Sequence, residues 1–333
     1  MSAPNTSDGT AAGQQSTGQH ADQITRAIEV TDVTKTYGQV VALQDLSMTV
    51  PDGSTFGLLG TNGAGKTTLF KLIVGHVTPD QGTVTVGGRS VSDAGPAIRQ
   101  QVGYLPEQTG FPPSLSGREV LAFQARARAL DNRAERAADA LETVGLADSA
   151  DRAVDGYSNG MRRRLGLAAA LLPRPRILLL DEPTAGLDPR GVATFHRIIR
   201  DLHEETNLTV VLASHVLSEV ERLCDEVAIV HEGRLRAAGD IGDLKDGIAT
   251  GPTVDARFET AEAVERAREV AASDGGRVVA AERRTLSITV DRDRIPELIQ
   301  TLEADTALAG YEVREPGLEA VFEAAIDEGG DPG

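Results

Sequence analysis

Gly60-Thr61-Asn62-Gly63-Ala64-Gly65-Lys66-Thr67 is the stretch that decides the fold. It matches the pattern G-x-x-x-x-G-K-[ST] in full, and its flanks agree with it. The β-rich run Ser54 to Leu59 precedes the glycines, and Gly60 to Val74 reads as a loop that runs into a helix. That strand–loop–helix context separates a phosphate-binding loop from a chance glycine-rich turn. Glycine lets the backbone curl until successive N–H groups point inward at phosphate oxygens. The helix start adds its positive end. In such a loop Lys66 reaches the β- and γ-phosphates and the Thr67 hydroxyl coordinates Mg²⁺. Gly60, Thr61, Asn62, Gly63, Ala64, Gly65, Lys66, Thr67 and Thr68 are therefore the candidate nucleotide contacts. ATP and Mg²⁺ are the cofactors implied.

About 115 residues further on, Ile177-Leu178-Leu179-Leu180-Asp181-Glu182 is an apolar run ending in two carboxylates. A strand apolar on both faces belongs inside a parallel sheet. Its C-terminal end lies beside the phosphate loop, where Asp181 can hold Mg²⁺ through water. Glu182, facing the γ-phosphate, can polarise an attacking water as a general base. Alone, such an acidic pair is commonly a helix cap; beside a phosphate loop it is catalytic.

Around these motifs the chain alternates strand and helix. Short β-rich runs fill Ile28 to Leu59, with Gly82 to Val86 and Val102 to Leu105 as further strands. Gly117 to Leu172 turns to Ala, Leu, Arg and Glu at helical spacing, a mostly helical insert. Helices at Arg190–Glu204 and Leu217–Leu223 and strands at Leu208–Ala213 and Val227–Val230 follow. The expected organisation is a disordered leader over residues 1–26, an ATPase domain over 27–245 with a helical subdomain at about 95–172, and a linker over 246–253. An accessory domain over 254–327 and a disordered tail over 328–333 complete it. The accessory segment reads β-α-β-β-α-β, the ferredoxin-like order, closed by a helix at Leu318–Ile326. The fold class is α/β: a P-loop NTPase core of mixed sheet plus helical insert, with a small α+β domain behind it.

Composition narrows the function. The 333 residues carry 33 basic and 50 acidic side chains, a net −17, which argues against nucleic acid as partner. Only Lys35, Lys66, Lys71 and Lys245 are lysine. Such an acid-rich, Lys-poor surface suits a halophile; ordinary acidic solubility is the alternative. The one cysteine, Cys224, excludes an intrachain disulfide and sits among apolar residues at helical spacing, as a small core residue does. No run approaches the ~18 apolar residues that span a bilayer. The first 25 residues have neither the basic start nor the apolar core of a signal peptide. A cytoplasmic protein is expected.

Further motifs now make the chain resemble a family. Tyr157-Ser158-Asn159-Gly160-Met161 resembles the L-S-G-G-Q signature of ABC ATPases. Asp181 to Pro189 looks like that family's Walker B and D-loop, and Ser214-His215 is similar to its switch histidine. Tyr37 sits where the family stacks an aromatic on adenine. By the family pattern Glu107 occupies the Q-loop glutamine position with Gln108 beside it, and either can offer an oxygen to Mg²⁺ or to the lytic water. Gly-Tyr-Leu-Pro-Glu, Tyr-Ser-Asn-Gly-Met and the ferredoxin-like module look like ATPases of the ABC-2 export type. Leu115 to Leu121 is similar to the ATPase of nitrous oxide reductase maturation.

The resemblance implies two copies, or this chain and a paralogous ATPase, docked head to tail. Ser158 and Gly160 of one would grip the γ-phosphate of the ATP held by Lys66 of the other. His215 would hold the γ-phosphate and the lytic water, and Asp188 would link the two sites. An integral membrane permease with about six transmembrane helices would complete the transporter and hold this subunit on the inner face of the membrane. The rival reading is a soluble ABC protein of translation or DNA repair. Translation members carry two ATPase units, and repair members carry a long coiled coil between the Walker motifs; this sequence shows one unit and no sustained heptads.

Overall fold

The computed structural model describes residues 26–247, 251–273 and 275–327. Residues 1–25 of the expected leader and all of the expected tail at 328–333 lie outside them, as do residues 248–250 of the expected linker. Along the chain, β1 (Arg26–Tyr37) and β2 (Val40–Pro51) form a hairpin, and β3 (Thr55–Leu59) leads to α1 (Lys66–Ile73). Then come β4 (Gln81–Val86), β5 (Arg89–Ser90), α2 (Val91–Gln101) and β6 (Val102–Leu105). Helices α3 (Gly117–Ala127), α4 (Arg133–Thr143) and α5 (Asn159–Leu171) follow, then β7 (Ile177–Asp181), α6 (Pro189–Thr206), β8 (Thr209–Ser214) and α7 (Leu217–Leu223). The core ends with β9 (Glu226–His231), β10 (Arg234–Asp240) and α8 (Ile241–Asp246).

Strands β2-β1-β4-β5 make an antiparallel sheet, and β10-β9-β3-β8-β7-β6 make a second sheet, parallel except for β10. The parallel strands bury both faces because alternate side chains enter different cores. Leu178 and Leu180 of β7 pack with the helical insert, whereas Ile177 and Leu179 pack with α1 and the antiparallel sheet. Helix α3 is set by a reciprocal cap: Ser116 accepts from the Glu119 backbone N–H, and the Glu119 carboxylate accepts from the Ser116 backbone N–H at 2.8 Å.

Behind this core lie β11 (Thr253–Phe258), α9 (Ala261–Ser273), β12 (Arg277–Ala281), β13 (Thr285–Thr289), α10 (Ile295–Asp305) and β14 (Leu308–Arg314). They form an antiparallel sheet in the order β12-β13-β11-β14, with the two helices over one face and a core of its own around Phe258, Ile288 and Leu302. This is the ferredoxin-like arrangement.

The expected organisation changes at four places. The helical stretch expected from about residue 95 includes β6, which pairs in parallel with β7 inside the main sheet, so the insert proper is α3 to α5. Strand β10 and helix α8 were not read from the sequence, because Arg234–Asp240 has little apolar character: it is an edge strand, and only its neighbour β9 is buried. The linker is shorter than 246–253, since Asp246 ends α8 and Thr253 begins β11. The last helix, α11 (Leu318–Asp327), belongs to the ATPase core and not to the accessory module. Leu318 is fully buried and Val321 nearly so, in one cluster with Val220, Cys224, Val227 and Ile241. Its start is tied by the Leu318 N–H donating to Glu221 Oε1 at 3.3 Å, and Glu221 also pairs with Lys245. Cys224 lies in that cluster with its thiol pushed up by burial, an inert core residue.

Because Leu318 closes that cluster, Leu318→Ala is expected to destabilise the ATPase core by about 2–5 kcal/mol through the cavity it leaves. Urea unfolding followed by nucleotide protection checks this. An unchanged midpoint would show that α11 adds nothing to the core.

Candidate functional site

Four adjacent strands of the parallel sheet end at one edge, and each delivers one part of the site. Such strand ends are where open α/β sheets bind ligands. Strand β3 runs into Gly60 to Gly65, β6 into Pro106 and Glu107, β7 ends at Asp181, and β8 ends just before His215. The loop needs its glycines. Gly65 takes a left-handed φ of 107°, and a Cβ there would lie 2.5 Å from the Ala42 carbonyl oxygen. At Gly60 a Cβ would lie 2.4 Å from the carbonyl oxygen of Val230.

These segments line a cavity of about 380 Å³ formed by Val40 to Ala42, Thr61 to Thr68, Glu107, Asp181, Glu182, Ala185 and His215. The Lys66 ammonium donates to the Gly60 carbonyl at 2.6 Å and lies 3.3 Å from Glu182 Oε1. The other Glu182 oxygen accepts from His215 Nδ1 at 2.8 Å. Thr67 Oγ1 donates to Asp181 Oδ2 at 2.9 Å, and the Tyr104 hydroxyl donates to the same oxygen at 3.2 Å.

The electrostatics follow from burial. Asp181 is 1 % exposed, and its carboxyl is pushed upward chiefly by desolvation, against the hydrogen bonds from Thr67 and Tyr104. Burial and the Asp181 charge together push the Tyr104 phenol upward. Asp181 Oδ1 is buried with no hydrogen-bond partner, whereas Glu182 Oε1 faces the Lys66 ammonium at 3.3 Å. The unpartnered Asp181 oxygen beside the Thr67 hydroxyl, with Glu107 in the same lining, is a hard-oxygen donor set that fits a divalent cation.

Sequence reasoning missed three contributors. Tyr104 reaches Asp181, and nothing in its spacing says so. Arg163 is 6 % exposed in a run of three arginines, Arg162 to Arg164, where residue type alone does not tell which one points inward. Glu219, 4 % exposed, accepts from Ser214 Oγ at 2.8 Å and faces His196 Nε2 at 3.2 Å, bracing the segment that carries His215.

Comparison with known proteins gives this geometry its family. The ABC transporter family model matches residues 43–185. The daunorubicin/doxorubicin resistance ATP-binding protein DrrA of Streptomyces peucetius is 35 % identical over 276 residues, 82 % of this chain and 80 % of that one. The bacitracin transport ATP-binding protein BcrA of Bacillus licheniformis is 39 % identical over 208 residues, 62 % of this chain and 68 % of the relative. The chain belongs to the ABC transporter ATP-binding proteins. Among solved structures, an ATP-binding subunit of an ABC transporter is 29 % identical with a TM-score of 0.59, covering 66 % of this chain and 92 % of that one. Another, cbiO1 from Clostridium perfringens, part of the ABC transporter complex cbiONQ, is 28 % identical with a TM-score of 0.60, over 67 % of this chain and 91 % of that one.

As an ABC transporter ATP-binding protein, the chain binds and hydrolyses ATP. Not every residue expected at its site is gathered in the cavity. Ser158 is exposed and caps α5, its hydroxyl accepting from the Met161 N–H at 3.2 Å, and neither it nor Gly160 lines the cavity. Asp188 is also exposed and caps α6, accepting from the Gly191 N–H at 2.6 Å. Glu107 lines the cavity; Gln108 does not. Tyr37 is 45 % exposed and lies outside the lining, although its hairpin partner Val40 is part of it. Among the described residues no helix is long and apolar enough to cross a membrane.

Proposed function

We propose that this subunit energises export by a separate membrane permease, and that it hydrolyses ATP only when a second ATPase subunit, a copy or a paralogue, closes over the cavity. One observation carries this reading. Lys66, Thr67, Asp181, Glu182 and His215 meet in one cavity, while the signature residues, the exposed Ser158 and the half-buried Gly160, lie outside it. A signature that lies outside its own subunit's cavity supports a role in covering the ATP of a partner.

In this reading Lys66 moves from Glu182 and the Gly60 carbonyl onto the β- and γ-phosphates. Glu182, released from Lys66 and still hydrogen-bonded to His215, takes the proton of the attacking water. Thr67 and Asp181 hold Mg²⁺, with Glu107 rather than Gln108 offering the Q-loop oxygen; the bound ion would neutralise phosphate charge. His215 holds the γ-phosphate, Asp188 bridges the two subunits, and Tyr37 stacks on the adenine beside Val40. ATP then favours the closed pair and hydrolysis releases it. The permease, with about six transmembrane helices, holds the subunit against the inner face of the membrane.

Ser158→Arg tests the arrangement. On a sizing column with a non-hydrolysable ATP analogue the wild type is expected to dimerise and the variant to stay monomeric. Nucleotide affinity of the monomer should be unchanged. A variant that loses monomer affinity would place Ser158 in its own subunit's site, against the head-to-tail reading.

A further inference from the structure

Helix α5 sends one side chain into the middle of the catalytic segments. Arg163 donates to five backbone carbonyls: Pro106 at 2.6 Å and Glu107 at 2.8 Å on the segment after β6, and Asp181 at 2.6 Å, Glu182 at 2.8 Å and Pro183 at 2.7 Å on the segment after β7. A guanidinium has five N–H donors in a planar fork, so every donor is used and no carboxylate shares the site as a direct partner. The charge is buried at 6 % exposure, and desolvation brings the guanidinium down to about 10 against the pull of nearby Asp181, Glu107, Glu219 and Glu182.

The segment it grips is strained. Glu182 adopts φ 44°, the left-handed region that a residue with a Cβ enters at a cost. Its N–H is held by the Ala213 carbonyl at 2.9 Å, and its carbonyl is held by Arg163. Displacing α5 from β7 stretches the Asp181, Glu182 and Pro183 bonds together.

We propose that Arg163 is a positioning residue for hydrolysis: its five-carbonyl clasp sets the Glu182 backbone and the Glu107 segment in register, so that water activation depends on where the signature helix sits. The clasp touches none of Gly60 to Thr68, so binding of nucleotide by the phosphate loop itself, measured without Mg²⁺, does not depend on it. The inference rests on Glu182 being the catalytic base.

The test compares Arg163→Lys, Arg163→Met and Arg164→Lys with wild type and Glu182→Gln, measuring kcat, KM, ATP affinity without Mg²⁺ and the melting temperature. A lysine ammonium has three donors and no plane, so it cannot reproduce the five-carbonyl clasp. Arg163→Lys is expected to lower kcat by about 10²-fold, the scale of an ångström-sized misplacement, with affinity within about threefold of wild type. Arg163→Met should be no better than Arg163→Lys. Arg164→Lys, on the same helix but bonded to the Val144 and Gly145 carbonyls at 2.8 and 2.9 Å, should keep its turnover. If Arg163→Met fails to fold, Arg163→Lys carries the comparison. A folded Arg163→Lys with wild-type kcat overturns the proposal, and so does a parallel fall of kcat, affinity and melting temperature. An inactive Glu182→Gln beside a fully active Arg163→Lys sinks this inference alone, whereas an active Glu182→Gln sinks the catalytic reading beneath it.

Discussion

Glu182→Gln is expected to lower ATP turnover on the order of 10²-fold or more while ATP binding survives. The exchange is nearly isosteric and removes the oxygen proposed to take a proton from water, and the amide can still accept the 2.8 Å hydrogen bond from His215 Nδ1. A second effect comes from Lys66, whose ammonium lies 3.3 Å from Glu182 with both side chains almost buried. Neutralising one member of such a pair leaves the other charge uncompensated, a loss of about 3–5 kcal/mol in general. The nucleotide-free variant should therefore melt below wild type. ATP phosphates restore a counter-charge to Lys66, so nucleotide should stabilise the variant more than it stabilises wild type. Single-turnover hydrolysis and thermal melts with and without ATP read both effects. Near wild-type turnover would remove Glu182 from the role of base.

Lys66→Ala should fail one step earlier. In the proposed role the side chain reaches the phosphates through charge-assisted hydrogen bonds, and losing two of them amounts to about 3–4 kcal/mol. That is on the order of 10²- to 10³-fold in Kd for ATP. In the nucleotide-free protein the Gly60 carbonyl also loses a 2.6 Å donor and Glu182 loses its cation. Nucleotide titration of the isolated subunit separates the two variants: Glu182→Gln binds without turning over, and Lys66→Ala does not bind well enough to turn over. Equal affinity in Lys66→Ala and wild type would contradict the role given to the lysine.

Much of the site was legible because its chemistry is local in the chain. A phosphate loop is eight consecutive residues whose backbone N–H groups do the binding, so glycine spacing and a following Lys-Thr report it directly. Strand β7 announces itself as four apolar residues before two carboxylates, because burial on both faces leaves no place for a polar side chain. The tail's β-α-β-β-α-β order was readable for the same reason, each element carrying its own period.

Contacts between distant segments were not legible. The sequence left Glu107 and Gln108 as equals, and the path of the chain after β6 brings only the first to the cavity. Tyr104 and Asp181 are 77 residues apart, and Arg163 and Glu182 are 19 apart; neither pairing has a spacing rule.

By itself, then, the sequence determined the phosphate loop, the two carboxylates, the signature, the alternation of strand and helix and the ferredoxin-like tail. Each is a matter of local backbone conformation or of burial along one element. Only the tertiary structure decided that α11 closes the ATPase core, that Lys66 rests on Glu182, and that a single arginine binds the signature helix to the catalytic segment. An amphipathic helix reports that it has an apolar face but not which core will cover it, and a charged side chain does not report which carbonyls will surround it. Those choices are made by packing between elements that the chain brings together only when it folds.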